Sequence, residues 1–135
     1  MASSNGIPAS ATAVRAATGE LPILDRAAML ETVENDLELL HQLIEIFLAE
    51  SSALLAQLRA ALRERKREPA ERTAHTLKGS VSNFGARRAA AAARAIEDEA
   101  RENRLDEAER LLPALESEIA QVCQALSQFL SEPAG

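Results

Sequence analysis

Residues 37–61 read LELLHQLIEIFLAESSALLAQLRAA, and this stretch decides the fold. Its apolar side chains recur at alternating steps of three and four residues. The stripe comprises Leu37, Leu40, Ile44, Phe47, Leu54, Leu58 and Ala61, with Ser51 as one small polar interruption. Such spacing places a single apolar stripe along an α-helix. The stretch therefore predicts a long amphipathic helix that ends in the charged run near Lys66.

The same pattern returns toward the C-terminal end of the chain. The second stripe comprises Leu105, Ala108, Leu112, Leu115, Ile119, Val122, Leu126 and Phe129. Pro113 lies inside it and has no backbone N–H to donate, so a kink or an uneven first part is expected. Residues 105–130 are thus predicted to form a second long helix.

Two shorter helices are predicted between these long ones. Pro69 suits the first turn of a helix. The apolar stripe that follows it comprises Ala70, Ala74, Leu77, Val81 and Phe84. Gly85 is expected to end or bend this helix. An alanine-rich helix with Ile96 in the core should span residues 86–102, before a turn at Asn103 and Arg104.

A short helix should precede the first long one. Asp25 is a plausible N-cap for a helix that runs to Val33, and Asn35 or Asp36 would cap the next helix. Four amphipathic helices joined by short connections predict an all-α fold, an antiparallel up-down four-helix bundle with a short extra N-terminal helix. The bundle is expected over residues 21–131. Residues 1–20 are rich in small residues without a period, which predicts a flexible tail or linker.

Composition excludes several classes of protein. The chain has 135 residues, 2% aromatic residues, no Trp or Tyr, and a net charge of -6. Nucleic-acid binding is therefore disfavoured, since an acidic chain repels phosphate backbones. The single cysteine, Cys123, is predicted to be a small core residue without a disulfide partner. We expect no membrane segment and no signal peptide, and therefore a cytoplasmic location.

His75 is the residue where chemistry is concentrated. At about 100° per residue, the apolar stripe of its helix centres about 220° away, so the imidazole should face solvent. Arg72, Lys78, Gly79 and Ser82 share that face. A neutral imidazole is a good nucleophile near pH 7, and a cation one turn away suits phosphoryl oxygens. An interior glycine costs about 1 kcal/mol relative to alanine, so Gly79 suggests access for another protein. A plain surface histidine and a packing glycine remain open alternatives.

Residues 74–80 read AHTLKGS, and residues 83–86 read NFGA. This combination resembles the signature of histidine-containing phosphotransfer (Hpt) domains, which is His-x-Leu-Lys-Gly followed by a Gly-Ala pair. The segments IEIFL at residues 44–48 and AIED at residues 95–98 resemble the family's helices before and after the acceptor helix. The likeness spans about residues 23 to 130. Pro113 is the least typical feature.

The resemblance implies roles for individual residues. His75 would be phosphorylated, through its Nε2, and Lys78 would contact the phosphoryl group. Gly79 and Gly85 would keep the surface open and the turn tight. Glu97 matches a position where related domains place a hydrogen-bond partner for the other ring nitrogen, although a solvated helical glutamate is an equal alternative.

The flanking Arg72 and Ser82 are further candidates for contact with the phosphoryl group or the partner. The resemblance implies a carrier without kinase or phosphatase activity. It would exchange the phosphoryl group with an aspartate on receiver domains of response regulators or hybrid sensor histidine kinases. The receiver would supply Mg²⁺, so the chain itself needs no cofactor and no metal. Arg87 and Arg88 would join Lys78 against the acidic receiver pocket, and a monomer is expected.

Three alternatives stand beside this interpretation. The chain could be a helical adaptor, like a degenerate Hpt domain, although an intact His75 argues against that. It could be the phosphoacceptor domain of a chemotaxis-type kinase, for which Glu97 would be well suited. A metal site at His41 and His75 is the weakest alternative, because the two lie on different helices and no further ligand is apparent.

Overall fold

Five helices follow one another in the computed structural model, which describes residues 21–132. They are α1 (Arg26–Thr32), α2 (Leu37–Arg63), α3 (Arg67–Ser82), α4 (Arg87–Arg101) and α5 (Leu105–Ser131). Helices α2 to α5 pack as an antiparallel up-down bundle, which confirms the predicted fold class. The tail predicted over residues 1–20 lies outside the described residues.

Aspartates begin the first two helices, as the sequence predicted. The Asp25 side chain accepts a hydrogen bond from the Ala28 N–H at 3.1 Å. Asp36, rather than Asn35, caps α2 and accepts from the Leu39 N–H at 3.0 Å. Each bond satisfies a backbone donor that has no partner within the first helical turn.

The three turns that join α2 to α5 share one geometry. Each contains a residue in the left-handed region: Arg65 (φ 61°), Gly85 (φ 63°) and Asn103 (φ 60°). The next residue donates its N–H to the carbonyl five positions back: Lys66 to Ala61 at 2.8 Å, Ala86 to Val81 at 3.2 Å, and Arg104 to Glu99 at 2.8 Å. These closures satisfy carbonyls at the helix ends and reverse the chain within a few residues.

The core lies between the four long helices and contains the predicted stripes. Its fully buried large side chains include Leu40, Ile44, Leu58, Leu62, Leu77, Val81, Ile96, Leu115 and Leu126. Leu37 departs from the prediction, because it is 52% exposed. It is the first residue of α2, at the end of the bundle, so the buried part of the stripe begins one turn later, at Leu40.

The polar interruption at Ser51 has a structural reason. Ser51 is buried, and its Oγ lies 3.4 Å from the Sγ of Cys123 on α5. Each polar atom therefore finds a partner inside the bundle. Pro113 does not break α5, which runs as one helix from Leu105 to Ser131.

Helix α1 closes one end of the bundle. Its Met29 is fully buried. The Asp25 N–H donates to the Phe84 carbonyl at 3.2 Å, which ties the start of α1 to the turn after α3. Arg26 lies 5.2 Å from the Phe129 ring centroid and forms an ion pair with Glu132 at the end of α5.

Helix α2 bears on the expectation that the chain has no membrane segment. Among residues 21–132 it is the one helix long and apolar enough to cross a membrane, judged by length and composition. The same helix contributes Leu40, Ile44 and Leu58 to the bundle core. A core helix meets the criterion as readily as a membrane span, so this feature is weak support for a span.

Candidate functional site

His75 lies near the middle of α3 and faces solvent. Its side chain is 65% exposed, while Ala74 and Leu77 beside it are fully buried. The direction derived from the helical angle is therefore confirmed. An imidazole held on a rigid helix in this way is open to a reaction partner.

Glu97 of α4 contacts the ring. Its Oε2 lies 2.7 Å from His75 Nδ1, and the Glu97 side chain is only 4% exposed. Helices α3 and α4 can approach closely here because Ala74, Ala93 and Ala100 are small and fully buried. The solvated alternative for Glu97 is thus wrong. A charge buried to this extent requires partners.

Two cations supply that compensation. Lys78 Nζ lies 2.8 Å from Glu97 Oε1. The two groups form an ion pair. Arg101 Nη2 lies 3.2 Å from Oε2. Burial by itself would raise the pKa of Glu97, but Lys78 and His75 together hold that pKa below its ordinary value.

The ionised carboxylate fixes the tautomer of His75. An ionised carboxylate can only accept hydrogen bonds. Nδ1 therefore carries the ring proton and donates a hydrogen bond to Glu97. In the neutral ring Nε2 then holds the lone pair. The contact therefore leaves Nε2 with its lone pair and places a negative charge where a positive ring would be stabilised.

Arg101 also belongs to this site, although it was not predicted from the sequence. Arg101 contacts Glu97 within α4, and its Nε reaches Glu71 Oε2 on α3 at 3.0 Å. Glu71 Oε1 also pairs with Arg67 at 2.9 Å. The spacing of Glu97 and Arg101, four residues apart on one helix, is the sequence signal that points to the first of these contacts.

The remaining candidates are spread around His75. Arg72 is exposed, and Glu68, Glu71 and Arg72 line a shallow depression together with His75 and Glu97. The hydroxyl of Ser82 donates to the Lys78 carbonyl at 2.7 Å, within the same helix.

The arginines after the motif lie elsewhere. Arg87 is 3.6 Å from Asp25, and Arg88 is 3.1 Å from Glu118 of α5. Arg88 therefore turns toward α5.

The two glycines of the motif have different surroundings. A Cβ placed on Gly79 meets no atom within 4 Å, and the position is exposed. A Cβ on Gly85 would lie 2.5 Å from the Asp25 Cβ and 3.1 Å from the Ala28 Cβ. Gly85 therefore belongs to the junction with α1, while Gly79 leaves open the surface one turn from His75.

An apolar groove lies between α2 and α3, near Gly79. It encloses about 90 Å³ and is lined by Leu43, Ile46, Phe47, Glu50, Leu54, Ser80, Asn83 and Phe84. Ile46 is 52% exposed. The apolar lining of this groove comes mainly from α2.

The metal alternative gains no support from the side-chain positions. Within residues 21–132, no three His, Cys, Asp or Glu side chains are grouped so that they could hold a metal ion. His41 instead packs edge-on against Phe129, with 6.0 Å between ring centroids.

A helical bundle with an exposed histidine held by a buried carboxylate is the arrangement that the resemblance to Hpt domains implied. The family model for the Hpt domain matches residues 42–125, more than half of the chain. The chain belongs to the Hpt domain family, and its function is histidine phosphotransfer in a phosphorelay.

Two solved structures resemble this fold. Histidine-containing phosphotransfer protein B from Pseudomonas aeruginosa PAO1 is 29% identical with a TM-score of 0.77, over 84% of this chain and 99% of that one. The Hpt domain of a sensor hybrid histidine kinase from Shewanella is 18% identical with a TM-score of 0.72, over 84% of this chain and 97% of that one. The chain has no significant match among curated protein sequences.

Proposed function

We propose that His75 is the residue that carries the phosphoryl group, and that Nε2 is the reacting atom. The observation that carries this proposal is the 2.7 Å contact between Nδ1 and the buried Glu97 carboxylate. This contact occupies one ring nitrogen and leaves the other with its lone pair. The alternative histidine, His41, lies against Phe129 and has no comparable partner among the described contacts.

The transfer step then follows from the ring chemistry. Nε2 attacks the phosphorus of an aspartyl phosphate on a receiver domain. An N–P bond forms while the P–O bond to the aspartate breaks, and the aspartate carboxylate leaves with that electron pair. The phosphorylated ring keeps its proton on Nδ1 and is positively charged, so the Glu97 carboxylate stabilises it. The reverse sequence returns the phosphoryl group to a receiver.

Lys78 has a second use in this proposal. Its ammonium holds Glu97 Oε1, and its side chain is 29% exposed. It lies one helical turn from His75, within reach of the phosphoryl oxygens that would arrive at Nε2. Arg72 adds a further positive charge on the same exposed face. These cations offset the negative charge of the phosphoryl group.

The partners in this proposal are receiver domains of response regulators and of hybrid sensor kinases. Mg²⁺ comes with the receiver, and this chain acts as a monomeric, cytoplasmic carrier without kinase or phosphatase activity of its own. The open surface at Gly79 admits the receiver, and the groove beside Ile46 provides apolar contact area. A small, transient interface suits a carrier that exchanges its phosphoryl group.

Phosphotransfer from a labelled receiver tests the assignment. The protein is mixed with a receiver domain that bears a radiolabelled aspartyl phosphate, and transfer to this chain is followed over time. The wild type and His41→Gln should both acquire an acid-labile, base-stable label, and His75→Gln should acquire none. Label that persists in His75→Gln would refute the assignment of His75.

A second candidate function is favoured by the same Glu97 contact. Under this hypothesis, the domain is the phosphoacceptor of a chemotaxis-type kinase, and an ATP-binding kinase domain phosphorylates His75. Incubation with such a kinase domain and ATP, without any receiver, separates the two functions. Label on His75 from the kinase but from no receiver would favour the second function.

A further inference from the structure

Arg101 engages a different carboxylate with each of its three guanidinium nitrogens. Nε lies 3.0 Å from Glu71 Oε2, Nη1 lies 3.3 Å from Asp98 Oδ1, and Nη2 lies 3.2 Å from Glu97 Oε2. Glu71 belongs to α3, whereas the other two belong to α4. The guanidinium therefore connects the helix of His75 to the helix of Glu97.

Glu97 Oε2 is shared between Arg101 and His75. The same oxygen lies 2.7 Å from His75 Nδ1 and 3.2 Å from Arg101 Nη2, while Lys78 holds the other oxygen. A carboxylate can rotate about its terminal bond, which has broad minima. With a cation at each oxygen, the plane of the Glu97 carboxylate is set before any partner arrives.

We propose that Arg101 is a positioning residue for phosphotransfer, which acts by holding the Glu97 carboxylate against Nδ1 of His75. This proposal rests on the proposed function of His75. Arg101 itself transfers no proton and touches no reacting atom. It keeps the ring in the tautomer whose Nε2 is the nucleophile, and it keeps Glu97 in place for the positive ring that follows.

The shape of the side chain matters for this role. A planar guanidinium offers donors in a fixed fork, so one residue can meet three carboxylates at once. A lysine at this position has one flexible point charge and cannot reproduce the three contacts. The Arg101 side chain is 51% exposed, so a direct contact with the receiver is the competing role.

A double-mutant cycle separates the two roles. Single-turnover transfer from a phosphorylated receiver is measured for Arg101→Gln, Glu97→Gln and the double variant. Arg101→Gln should slow transfer by about three- to tenfold, and Glu97→Gln by at least as much. In the double variant, loss of Arg101 should add nothing, because Arg101 acts through Glu97. If the two effects multiply, Arg101 contacts the receiver and the proposal is wrong.

Arg94→Gln is the matched control. Arg94 is an exposed arginine of the same helix whose Nε lies 3.7 Å from Asp98, and it makes no described contact with Glu97. Its substitution removes the same charge and should leave the transfer rate unchanged. An equal slowing in Arg94→Gln would assign the effect to net charge and overturn the proposal.

The ¹⁵N spectrum of the His75 ring gives a second measurement. It would not change if Arg101 only contacted the receiver. In ¹⁵N-histidine-labelled protein, Arg101→Gln should shift the His75 population away from the Nδ1-protonated tautomer, without any receiver present. Unchanged ring shifts would overturn the positioning role. Failure of the proposed function looks different, because the wild type would then acquire no label on His75 at all.

Discussion

Gly79 and Gly85 lie six residues apart in one motif, yet their surroundings are opposite. Gly79 lies on an exposed helical face with open space where a Cβ would be. Gly85 lies in a turn, where a Cβ would come within 2.5 Å of Asp25. The comparison shows that one motif contains two kinds of glycine. The fold requires Gly85, but it does not require Gly79.

The other two turns of the bundle sharpen this comparison. Arg65 and Asn103 occupy the same left-handed position as Gly85, with φ values of 61° and 60° against 63°. The backbone conformation alone therefore does not demand glycine in this fold. The close packing of α1 against the turn requires glycine at position 85, because Asp25 and Ala28 fill the space that a side chain would need.

The largest expected effect is that of Gly85→Ala. A left-handed alanine costs about 1–2 kcal/mol, and the overlap with α1 adds about 1–3 kcal/mol. We expect a loss of about 2–4 kcal/mol in the free energy of unfolding, measured by urea denaturation. Arg65→Ala is the control, because its turn has the same φ. It should lose less than about 1 kcal/mol, and equal losses would break the comparison.

Glu97 serves both the fold and the reactive face, since its side chain is buried and it contacts His75. Glu97→Gln should lower the free energy of unfolding at neutral pH by about 1–3 kcal/mol, because it removes charge-assisted contacts. The lowered pKa of Glu97 also sets a pH dependence. A carboxylate with a lowered pKa stabilises the fold above its unfolded-state pKa, and this contribution is lost as the pH falls through the folded-state value.

Urea denaturation from pH 7 down to pH 3 measures that contribution. Other carboxylates weaken the fold in the same range, so the informative quantity is the difference between two proteins. The wild type should lose its advantage over Glu97→Gln on acidification. A constant difference across this range would show that ionisation of Glu97 contributes nothing to stability.

The smallest effect on stability is expected for Gly79→Ala. Alanine should stabilise α3 by about 1 kcal/mol or less, because no neighbouring atom obstructs its methyl group. Transfer from a receiver should become slower, since the methyl group intrudes on the docking surface. Phosphorylation by phosphoramidate, a small donor, should proceed at the wild-type rate. Equal slowing with both donors would place the effect inside the helix rather than at an interface.

Much of the fold is predictable from local signals. The three-four periodicity identified the helices and their buried faces. Asp25 marked the start of α1, and Asn35 or Asp36 marked the start of α2. The orientation of His75 followed from helical geometry alone. The sequence did not indicate that α1 packs against Gly85, or that Leu37 would be exposed, because both depend on where the helix ends meet.

The site was predictable in part for the same reason. His75 and Lys78 stand in a recognisable pattern on one helix, and the resemblance supplied Glu97. The contact from Arg101 to Glu71 crosses between α3 and α4, and it depends on their rotation and separation. Periodicity gives the face of each helix but not the distance between two side chains on different helices, so this residue was missed.

The position of phosphorus on the ring tests the central claim most directly. The ¹⁵N-histidine-labelled protein is phosphorylated by a receiver, and nitrogen–phosphorus coupling is measured by NMR spectroscopy. Phosphorus bonded to Nε2 of His75, with a proton retained on Nδ1, is the predicted result. Phosphorus bonded to Nδ1, or to any residue other than His75, would contradict the account.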